Sequence, residues 1–377
     1  MRPFYDNPSP LQVAIDSSAL ASATAIAARA ISTRPSLQVL SGIHLNAESD
    51  HLRLTATDLE LALSATAPAT VTQNGSAVIP GRIFAEIVRS LSAPSVDLTL
   101  SDSTLSLTAG SARFSLRTLP PDDFPLLDAP PQPSSLSLPA TLFTEDIPRV
   151  ARAASRDETR PHLTGILLAA TGDHLRLVAT DSYRLALCEL AIPTNTLDVN
   201  IPARSLQEVS RIAANSEAQS LSLTVDANRA LFSIDSVLLQ SRLVEGRFPS
   251  YEQLVPAEWD HEVQVDRLEL LDTVKRVSLV AQQHTPLKLT LSSGQLTLSA
   301  ESHDIGEAIE SLPVSYDGDG LTIGFNPLFL RDGLETALED SVVLRFLSPL
   351  RPALIESTTS DKSKRFLYLV MPIRLDS

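Results

Sequence analysis

The chain has 377 residues, 43% of them hydrophobic and 20% charged, which is typical of a folded protein with two or three domains. No apolar run reaches the ~18 residues of a membrane span, the N-terminus lacks a signal-peptide pattern, and Cys188 is the single cysteine. We therefore expect a cytoplasmic protein without membrane contact, disulfide or cysteine-based metal cluster. The formal net charge of -15 disfavours wrapping nucleic acid with the whole surface, but allows one basic face.

Hydrophobic periodicity predicts an ordered series of elements in the first third of the chain. A helix is predicted at Ser17–Ile31, because Asp16 provides an N-cap directly before it. The Thr57-Asp58 dipeptide predicts a tight turn between two alternating strands. The other predicted elements are the strands Leu11–Ile15, His51–Thr55 and Leu59–Ala65, the helix Arg82–Leu91, and the strands Val96–Leu100, Thr104–Ala109 and Ala112–Leu119.

The same plan recurs twice. LRLTATDLELAL at Leu52–Leu63 reappears 123 residues later as LRLVATDSYRLAL at Leu175–Leu187, and in weaker form from Leu296. Pro80 and Pro202, each at the entry to a helix, are 122 residues apart. A fixed period of this size predicts three tandem, strand-rich α+β domains with two helices each. The further predicted helices are Asp146–Ser155, Arg204–Ala213, Asp266–Ala281 and Pro327–Leu338.

Two proline-containing stretches are the predicted linkers. They are Asp128–Ser134 and Pro256–Glu262, which place the three domains at 1–132, 133–258 and 259–377. A unit of this size is large enough for a hydrophobic core of its own.

Arginines recur at matching positions on the predicted helices. Arg82 and Arg89 are seven residues apart and share one helix face, and Arg204 and Arg211 repeat that spacing 122 residues later. A single exposed arginine is often only a solvated side chain. The repeated pair favours a positive surface that holds phosphates without reading bases.

Signals of catalysis are weak. Asp58 and Asp181 occupy equivalent positions, and their context favours turn formation over a catalytic carboxylate pair. Cys188 lies in an apolar stretch and is predicted to be a core thiol. There is no glycine-rich phosphate loop, and DGDG at Asp317–Gly320 predicts a hairpin turn.

The seven histidines show no metal-ligand spacing. His44 and His51 flank an acidic turn and are predicted to be ordinary surface residues. We therefore expect no catalytic residue, no metal and no cofactor, and thus a protein that is not an enzyme.

Five segments resemble one family, in its order and spacing. The chain resembles the bacterial beta sliding clamp, the beta subunit of DNA polymerase III, over essentially its whole length. The segments are RFSLRTLPPDDFPLL at Arg113–Leu127, VATDSYRLAL at Val178–Leu187, LVEGRFPSYEQLVP at Leu243–Pro256, IGFNPLFL at Ile323–Leu330 and YLVMPIRL at Tyr368–Leu375.

The resemblance implies three tandem copies of the DNA-clamp domain. Helices would line the inner face, antiparallel sheets would lie outside, and two chains would close head-to-tail into a ring. Such a ring encircles duplex DNA without sequence specificity and tethers the polymerase, which raises its effective concentration. The implied partners are double-stranded DNA, the DNA polymerase III alpha subunit, the clamp loader, other clamp-motif proteins and a second copy of the chain.

The resemblance also implies a pocket between the second and third domains for short partner peptides with hydrophobic anchors. Arg184 and Asn326 would provide polar groups in an otherwise apolar trough. The C-terminal strand could equally be core, and both descriptions can hold because alternate residues face opposite sides. The matching positions are Leu163, Thr180, Ser182, Tyr183, Arg184, Leu185, Pro249, Gln253, Leu254, Asn326, Phe329, Leu350, Pro352, Leu369, Val370, Met371, Pro372, Ile373, Arg374 and Leu375.

On the DNA side, the resemblance points to Arg34 and the neighbourhood of His162, and the helix pattern supplies the rest. The subunit interface is expected near Phe114 of one chain and Leu279 of the other, because exposed strand edges need pairing. The predicted DNA-facing residues are Arg29, Arg34, Arg82, Arg89, Arg149, Arg152, Arg156, His162, Arg204, Arg211, Lys275 and Arg276.

The chain departs from the family pattern at several places. About nine extra residues precede the first strand, and Asp376–Ser377 extend beyond the usual terminal leucine, at the pocket rim. Pro161 and His162 replace a pair that is often aromatic, and Gln253 stands where some members carry arginine. The basic pattern is thin in the third domain.

Two functions remain open on these grounds. The first is the replicative clamp, favoured by the retained pocket and arginines. The second is an accessory or specialised clamp homolog, for example an inhibitor-tolerant copy, which the unusual termini allow. An enzyme would require a coherent catalytic set.

Overall fold

The computed structural model describes residues 11–120, 123–125, 135–193, 196–256, 258–281, 285–358 and 363–375. The N-terminal extension, the linker Asp128–Ser134 and the tail Asp376–Ser377 lie outside the described residues. Within the described ranges, no helix has the length and apolarity needed to cross a membrane.

The first repeat contains nine strands and two helices among its described residues. The Asp16 carboxylate caps α1 by accepting from the backbone N–H groups of Ser18 and Ala19, at 2.9 and 3.0 Å. The helix ends four residues earlier than predicted and continues as a 3-10 turn, Ala28–Ala30. The elements are β1 (Gln12–Asp16), α1 (Ser17–Ala27), β2 (Gly42–Glu48), β3 (His51–Thr57), β4 (Leu61–Pro68), β5 (Thr70–Gln73), β6 (Gly75–Pro80), α2 (Gly81–Ser90), β7 (Ser95–Ser101), β8 (Thr104–Ala109) and β9 (Ala112–Arg117).

The second repeat departs from the prediction at its first helix. The helix predicted at Asp146–Ser155 is only Ile147–Ala151, preceded by a π-helical turn at Leu142–Asp146. Asp146 is fully buried and makes no capping hydrogen bond, so it does not begin the helix as an N-cap would. The elements are β10 (Leu136–Pro139), α3 (Ile147–Ala151), β11 (Gly165–Thr171), β12 (His174–Thr180), β13 (Arg184–Leu190), β14 (Leu197–Pro202), α4 (Ala203–Ala214), β15 (Ser220–Val225), β16 (Arg229–Ile234) and β17 (Val237–Arg242).

The third repeat follows the predicted plan. Asp266 caps α5 through the N–H of Glu269 at 2.8 Å, and Asn326 caps α6 through the N–H of Leu328 at 2.9 Å. The elements are β18 (His261–Asp266), α5 (Arg267–Ser278), β19 (Leu287–Ser292), β20 (Gln295–Ser302), β21 (Gly306–Pro313), β22 (Leu321–Phe325), α6 (Pro327–Thr336), β23 (Ser341–Phe346), β24 (Ala353–Ser357) and β25 (Lys364–Val370).

The predicted turn role of Asp58 and Asp181 is confirmed. Asp58 accepts from the N–H groups of Glu60 and Leu61, at 3.1 and 2.8 Å. Asp181 accepts from those of Tyr183 and Arg184, at 2.9 and 3.0 Å. In both copies of the motif, the aspartate side chain therefore stabilises the turn by accepting hydrogen bonds from the same two backbone positions.

The hairpin predicted at Asp317–Gly320 is wrong. This segment connects β21 to β22, which are opposite edges of a four-stranded sheet ordered β21-β20-β19-β22. The glycines and aspartates therefore accommodate a connection across the sheet, not a tight turn between paired neighbours.

Strand pairing joins the repeats in two places. Every strand pairing among the described residues is antiparallel, which confirms the α+β class with antiparallel sheets. One eight-stranded sheet is ordered β10-β15-β16-β17-β4-β3-β2-β6, and the other β14-β11-β12-β13-β25-β24-β23-β18. The last strand of the second repeat thus pairs with β4 of the first, and the last strand of the third with β13 of the second. The other two sheets are the five-stranded β5-β1-β7-β8-β9 and the four-stranded β21-β20-β19-β22.

The chain forms two compact units. The first comprises Met1–Thr141 and Arg211–Leu243, and the second Leu142–Ser210 and Val244–Ser377. Each unit contains one of the eight-stranded sheets. The boundary runs through α4, because the two joining strand pairs each bind a part of the second repeat to its neighbour.

The prediction that His44 is an ordinary surface residue is wrong. Its ring stacks on Phe124 with centroids 5.2 Å apart, beside a core cluster that includes Leu40 and Val78. Burial lowers the pKa of His44 to about 4, because the charged imidazolium would lose its hydration. The half-buried imidazole is therefore neutral at pH values well above 4.

Candidate functional site

The predicted pocket lies within the second compact unit, where β13 pairs with β25. Leu163, Thr180, Leu185, Leu369 and Val370 are each no more than 3% exposed and form its floor. Phe366–Val370 of β25 are buried, and along the chain the next exposed side chain is Met371, at 41%. This end of the strand is therefore core, and the segment after it is accessible to a ligand.

An aromatic and cationic wall stands at one side of this floor. The rings of Tyr183 and Phe329 stack with centroids 6.3 Å apart, and the guanidinium carbon of Arg184 lies 4.6 Å from the Phe329 centroid. The N–H of Met371 donates to the Tyr183 carbonyl at 2.8 Å, which fixes the C-terminal segment beside the turn. Tyr183 is 59% exposed, so the wall presents an aromatic face to solvent.

The Arg184 guanidinium is held in place by two carboxylates and a tyrosine hydroxyl. Its Nε donates to Asp181 at 3.0 Å, one Nη pairs with Asp332, and the same Nη lies 3.4 Å from the Tyr368 hydroxyl. Burial alone would lower the pKa of Arg184, but Tyr368 and the carboxylates raise it, so the guanidinium stays charged. Asn326 is partly engaged too, since its side-chain oxygen caps α6.

A cavity of about 410 Å³ continues the pocket along the C-terminal segment. The N–H of Ile373 donates to the Gly324 carbonyl at 2.8 Å, and the Leu375 side chain packs over Gly324. A Cβ at position 324 would come within 2.9 Å of the Ile373 backbone oxygen, so glycine is the residue that fits this close approach of two backbones. The cavity is lined by Thr322, Ile323, Gly324, Pro349, Leu350, Ile373, Arg374 and Leu375.

The remaining predicted pocket residues border this region. Pro249 follows Phe248, a member of the core cluster that covers β13 and β25. Gln253 and Leu254 lie on a 3-10 turn and are exposed. Ser182 receives a hydrogen bond from Arg160 at 3.2 Å. Pro352 and Pro372 are partly buried.

Sequence reasoning missed several residues of the site. Thr322, Gly324 and Pro349 line the cavity, and Asp332 holds Arg184. The IGFNP segment contained a signal for Gly324, because an isolated glycine in a strand pattern indicates a close approach. No local pattern indicated Asp332, since it meets Arg184 from a distant part of the chain.

The predicted DNA-facing residues divide into three groups. The prediction that Arg149 faces DNA is wrong, because the residue is only 8% exposed and its Nε donates to the Thr336 carbonyl at 2.6 Å. Arg149 lies on α3, but on its buried side, whereas Arg152 and Arg156 follow the end of the helix and are exposed. His162 is partly buried on a short 3-10 helix. The exposed residues are Arg29, Arg34, Arg82, Arg89, Arg152, Arg156, Arg204, Arg211, Lys275 and Arg276.

Acidic neighbours offset some of these charges. Arg152 pairs with Glu335 at 2.7 Å, Lys275 lies 3.8 Å from the same carboxylate, and Arg276 pairs with Glu310. The third repeat therefore presents less net positive charge than its basic residues suggest. This agrees with its thin basic pattern.

The two residues predicted for the subunit interface lie at a sheet edge and directly after a helix. Phe114 is on β9, the edge of the five-stranded sheet, and is partly buried. Leu279 follows α5 and is 80% exposed. It borders a cavity of about 520 Å³ that also includes Leu328 and Arg331.

No group of three or more metal-ligating side chains occurs in the part of the chain that the structure describes. Cys188 is buried, as predicted for a core thiol, and burial raises its pKa. The protonated thiol is a poor nucleophile.

Three family models match the chain in succession. The N-terminal, central and C-terminal domains of the DNA polymerase III beta subunit match residues 11–128, 137–250 and 252–374. They account for most of the chain.

Known proteins are similar over nearly the whole of this chain and nearly the whole of their own length. The beta sliding clamp of Streptomyces coelicolor is 32% identical, over 97% of this chain and 100% of the relative. The beta sliding clamp homolog GriR of Streptomyces muensis is 33% identical, over 92% of this chain and 95% of the relative. The crystal structure of the DNA polymerase sliding clamp from Bacillus subtilis aligns with a TM-score of 0.92 and 28% identity, over 97% and 100% of the two chains.

Proposed function

The chain belongs to the DNA polymerase III beta-subunit family of sliding clamps, and we propose that it closes with a second copy into a ring that slides on duplex DNA. The ring holds replication proteins at the primer end. This family is non-catalytic, and we infer that the chain likewise acts by tethering, in the cytoplasm.

The observation that carries the proposal is a pair of open strand edges. In the two joined sheets, the last strand of one repeat pairs with the strand that follows the tight turn of another: β17 with β4, and β25 with β13. The equivalent strands without such a pairing are β9, the last strand of the first repeat, and β21, the strand that follows the corresponding turn in the third repeat. Within the described ranges β9 pairs only with β8, and β21 only with β20.

A head-to-tail contact between two chains would supply the missing pair twice. It would remove both edges, which otherwise invite uncontrolled association. The charges of the two strands are complementary: β9 carries Arg113 and Arg117 without an acid, and β21 carries Glu307, while its second acid, Glu310, already pairs with Arg276.

The β4–β17 pair also suggests a register for this contact. Leu239 lies opposite Leu63 there. Phe114 is the counterpart of Leu239 in the first repeat, because it pairs with Leu107 across the β8–β9 hairpin. Ala308 is the counterpart of Leu63 in the third repeat, because it pairs with Ala300 across the β20–β21 hairpin. We therefore place Phe114 opposite Ala308, and Ser115 opposite Glu307.

We propose that the inner surface of the ring contacts phosphates through the exposed basic residues of the helices, without Arg149. Two of them, Arg82 and Arg89, lie on the outer side of α2, opposite its buried Phe84 and Val88. Such contacts position DNA and carry no sequence information, which suits a protein that must slide.

We further propose that the wall of Tyr183, Arg184 and Phe329, with the 410 Å³ cavity, receives a short peptide with apolar anchors. The DNA polymerase III alpha subunit, the clamp loader and other clamp-motif proteins are the partners that we expect. Leu350 and Met371, at 61% and 41% exposure, would be covered by the bound peptide.

A specialised clamp, such as an inhibitor-tolerant copy, is the alternative. The chain is 33% identical to the beta sliding clamp homolog GriR and 32% identical to the Streptomyces coelicolor beta sliding clamp, and these similarities support the sliding-clamp function. Depletion of the protein in its own organism separates the two functions, since loss of the replicative clamp arrests DNA synthesis.

Primer extension on a circular single-stranded template tests the main proposal. The cognate polymerase and clamp loader are supplied with or without the protein. We expect much longer products in single binding events when the protein is present. Unchanged product length would contradict a tethering function.

A further inference from the structure

Asp332 lies between two arginines that belong to different proposed surfaces. Its Oδ2 pairs with Arg184 of the peptide pocket, and its Oδ1 lies 3.4 Å from Arg152, one of the DNA-facing residues. The Asp332 side chain is 13% exposed and sits on α6. A single carboxylate is therefore shared by two cations.

The contact with Arg184 fixes the position of its guanidinium. Asp181 holds Nε from one side, Asp332 holds an Nη from the other, and the plane rests over Phe329. The side chain is 12% exposed, so these ion pairs are poorly screened by solvent. Loss of Asp332 would leave the guanidinium free to turn away from the aromatic wall.

The contact with Arg152 is of a different kind. The Arg152 side chain is 44% exposed, and its better partner is Glu335 at 2.7 Å. A DNA phosphate can compete for such a side chain. If Arg152 turns to a phosphate, Asp332 retains Arg184 as its only arginine partner among these contacts.

We propose that Asp332 couples the peptide pocket to the DNA-facing surface, an inference that rests on the proposed function of both surfaces. With Arg152 drawn to DNA, a positive charge leaves the vicinity of Arg184, and Asp332 binds Arg184 more firmly. The aromatic wall is then better ordered, and partner peptide binds more tightly to clamps on DNA. By linkage, bound peptide strengthens the contact with DNA by the same factor.

Peptide affinity with and without DNA tests the coupling. The probe is a fluorescein-labelled peptide from the clamp-binding segment of the cognate polymerase alpha subunit, followed by fluorescence anisotropy. The protein is measured free, and again after loading onto nicked plasmid. We expect loading to tighten wild-type binding about threefold, the size expected from a partly exposed ion pair.

Three variants distinguish Asp332 from its neighbours. Asp332→Asn should weaken peptide binding to free protein about fivefold and abolish the effect of DNA, because a charge-assisted hydrogen bond to Arg184 is lost. Glu335→Gln, the matched control on the same helix, should change free-protein affinity by less than about twofold. Arg152→Ala should bring free protein close to the DNA-bound affinity and remove any further gain.

The outcomes separate this inference from the proposed function. An unchanged Asp332→Asn variant, or an equal loss in Glu335→Gln, overturns the role of Asp332. A DNA effect that survives Arg152→Ala also overturns it. Absence of peptide binding by the wild-type protein overturns the proposed pocket itself.

Discussion

The guanidinium carbon of Arg149 lies 3.9 Å from the ring centroid of Phe366, inside the protein core. The same guanidinium donates to the Thr336 carbonyl at 2.6 Å and pairs with the buried Asp146 at 3.5 Å. An arginine placed in this way joins α3 to β25 and to the end of α6.

Replacement of Arg149 should therefore affect stability and not DNA binding directly. We expect Arg149→Met to lower the free energy of unfolding by about 3 kcal/mol, because the buried Asp146 would keep only Lys364, 3.7 Å away, as a cationic partner and the Thr336 carbonyl would lose its donor. Thermal and urea unfolding of the full chain measure the loss. Arg156→Ala, at an exposed position beyond the helix, is the control and should be neutral. Weaker DNA binding with normal stability in Arg149→Met would contradict this assignment.

The arginine pair on α2 should contact phosphates. Arg82→Ala and Arg89→Ala are each expected to reduce the slope of log affinity against log salt by about 0.9, the value for one lost phosphate contact. Binding to duplex DNA across a salt series measures the slope. Arg53, exposed on β3, is the matched control, and its alanine variant should keep the wild-type slope. Equal slopes for all variants would place DNA elsewhere.

The proposed strand pair between chains can be trapped chemically. Ser115→Cys combined with Glu307→Cys should form a disulfide-linked dimer under mild oxidation, because these residues are placed opposite each other. The native Cys188 is buried and should not take part. Non-reducing electrophoresis detects the product.

The control for this cross-link shifts one cysteine to the neighbouring strand. Ser106→Cys with Glu307→Cys should give little product, since Ser106 is exposed on β8, one strand away from the edge. Equal cross-linking in both pairs would rule out the β9–β21 register.

His44 should make the fold sensitive to acid. Its folded-state pKa is about 4, against 6.5 for the unfolded group, so the unfolded chain binds the proton first as pH falls. The resulting contribution is fully present above pH 6.5 and is lost progressively as pH falls towards 4, with a total on the order of 3 kcal/mol. Unfolding measured across this range should show the loss.

His44→Phe keeps an aromatic ring against Phe124 and cannot take up the proton. Its stability should therefore depend less on pH between 6.5 and 4 than that of the wild-type protein. His303→Phe, at a fully exposed position, should keep the wild-type dependence. A wild-type profile in His44→Phe would show that another group is responsible.

The features that sequence predicted well are local. Asp16 and Asp266 cap helices, and Asp58 closes a turn, through hydrogen bonds to residues two or three positions away. The repeat period also gave the domain plan, because each copy needs the same pattern of buried side chains. Such signals depend on neighbouring residues in the chain and can be recognised without a structure.

The features that sequence missed depend on distant contacts. Arg149 and His44 look exposed in their own segments, but Phe366 and Phe124 cover them. The DGDG segment has turn-forming residues, yet strand order decides that it crosses a sheet. Asp332 joined the site only because α6 packs beside the turn of the second repeat.

We propose above all that the protein encloses DNA in a closed ring. The most direct measurement loads it onto nicked circular plasmid with the cognate clamp loader, removes free protein by gel filtration, and then linearises half of the sample. We expect the protein to elute with the circles and to be lost from the linear molecules, because a ring can slide off a free end. Equal retention on circular and linear DNA would contradict a closed ring, since it would indicate ordinary electrostatic attachment.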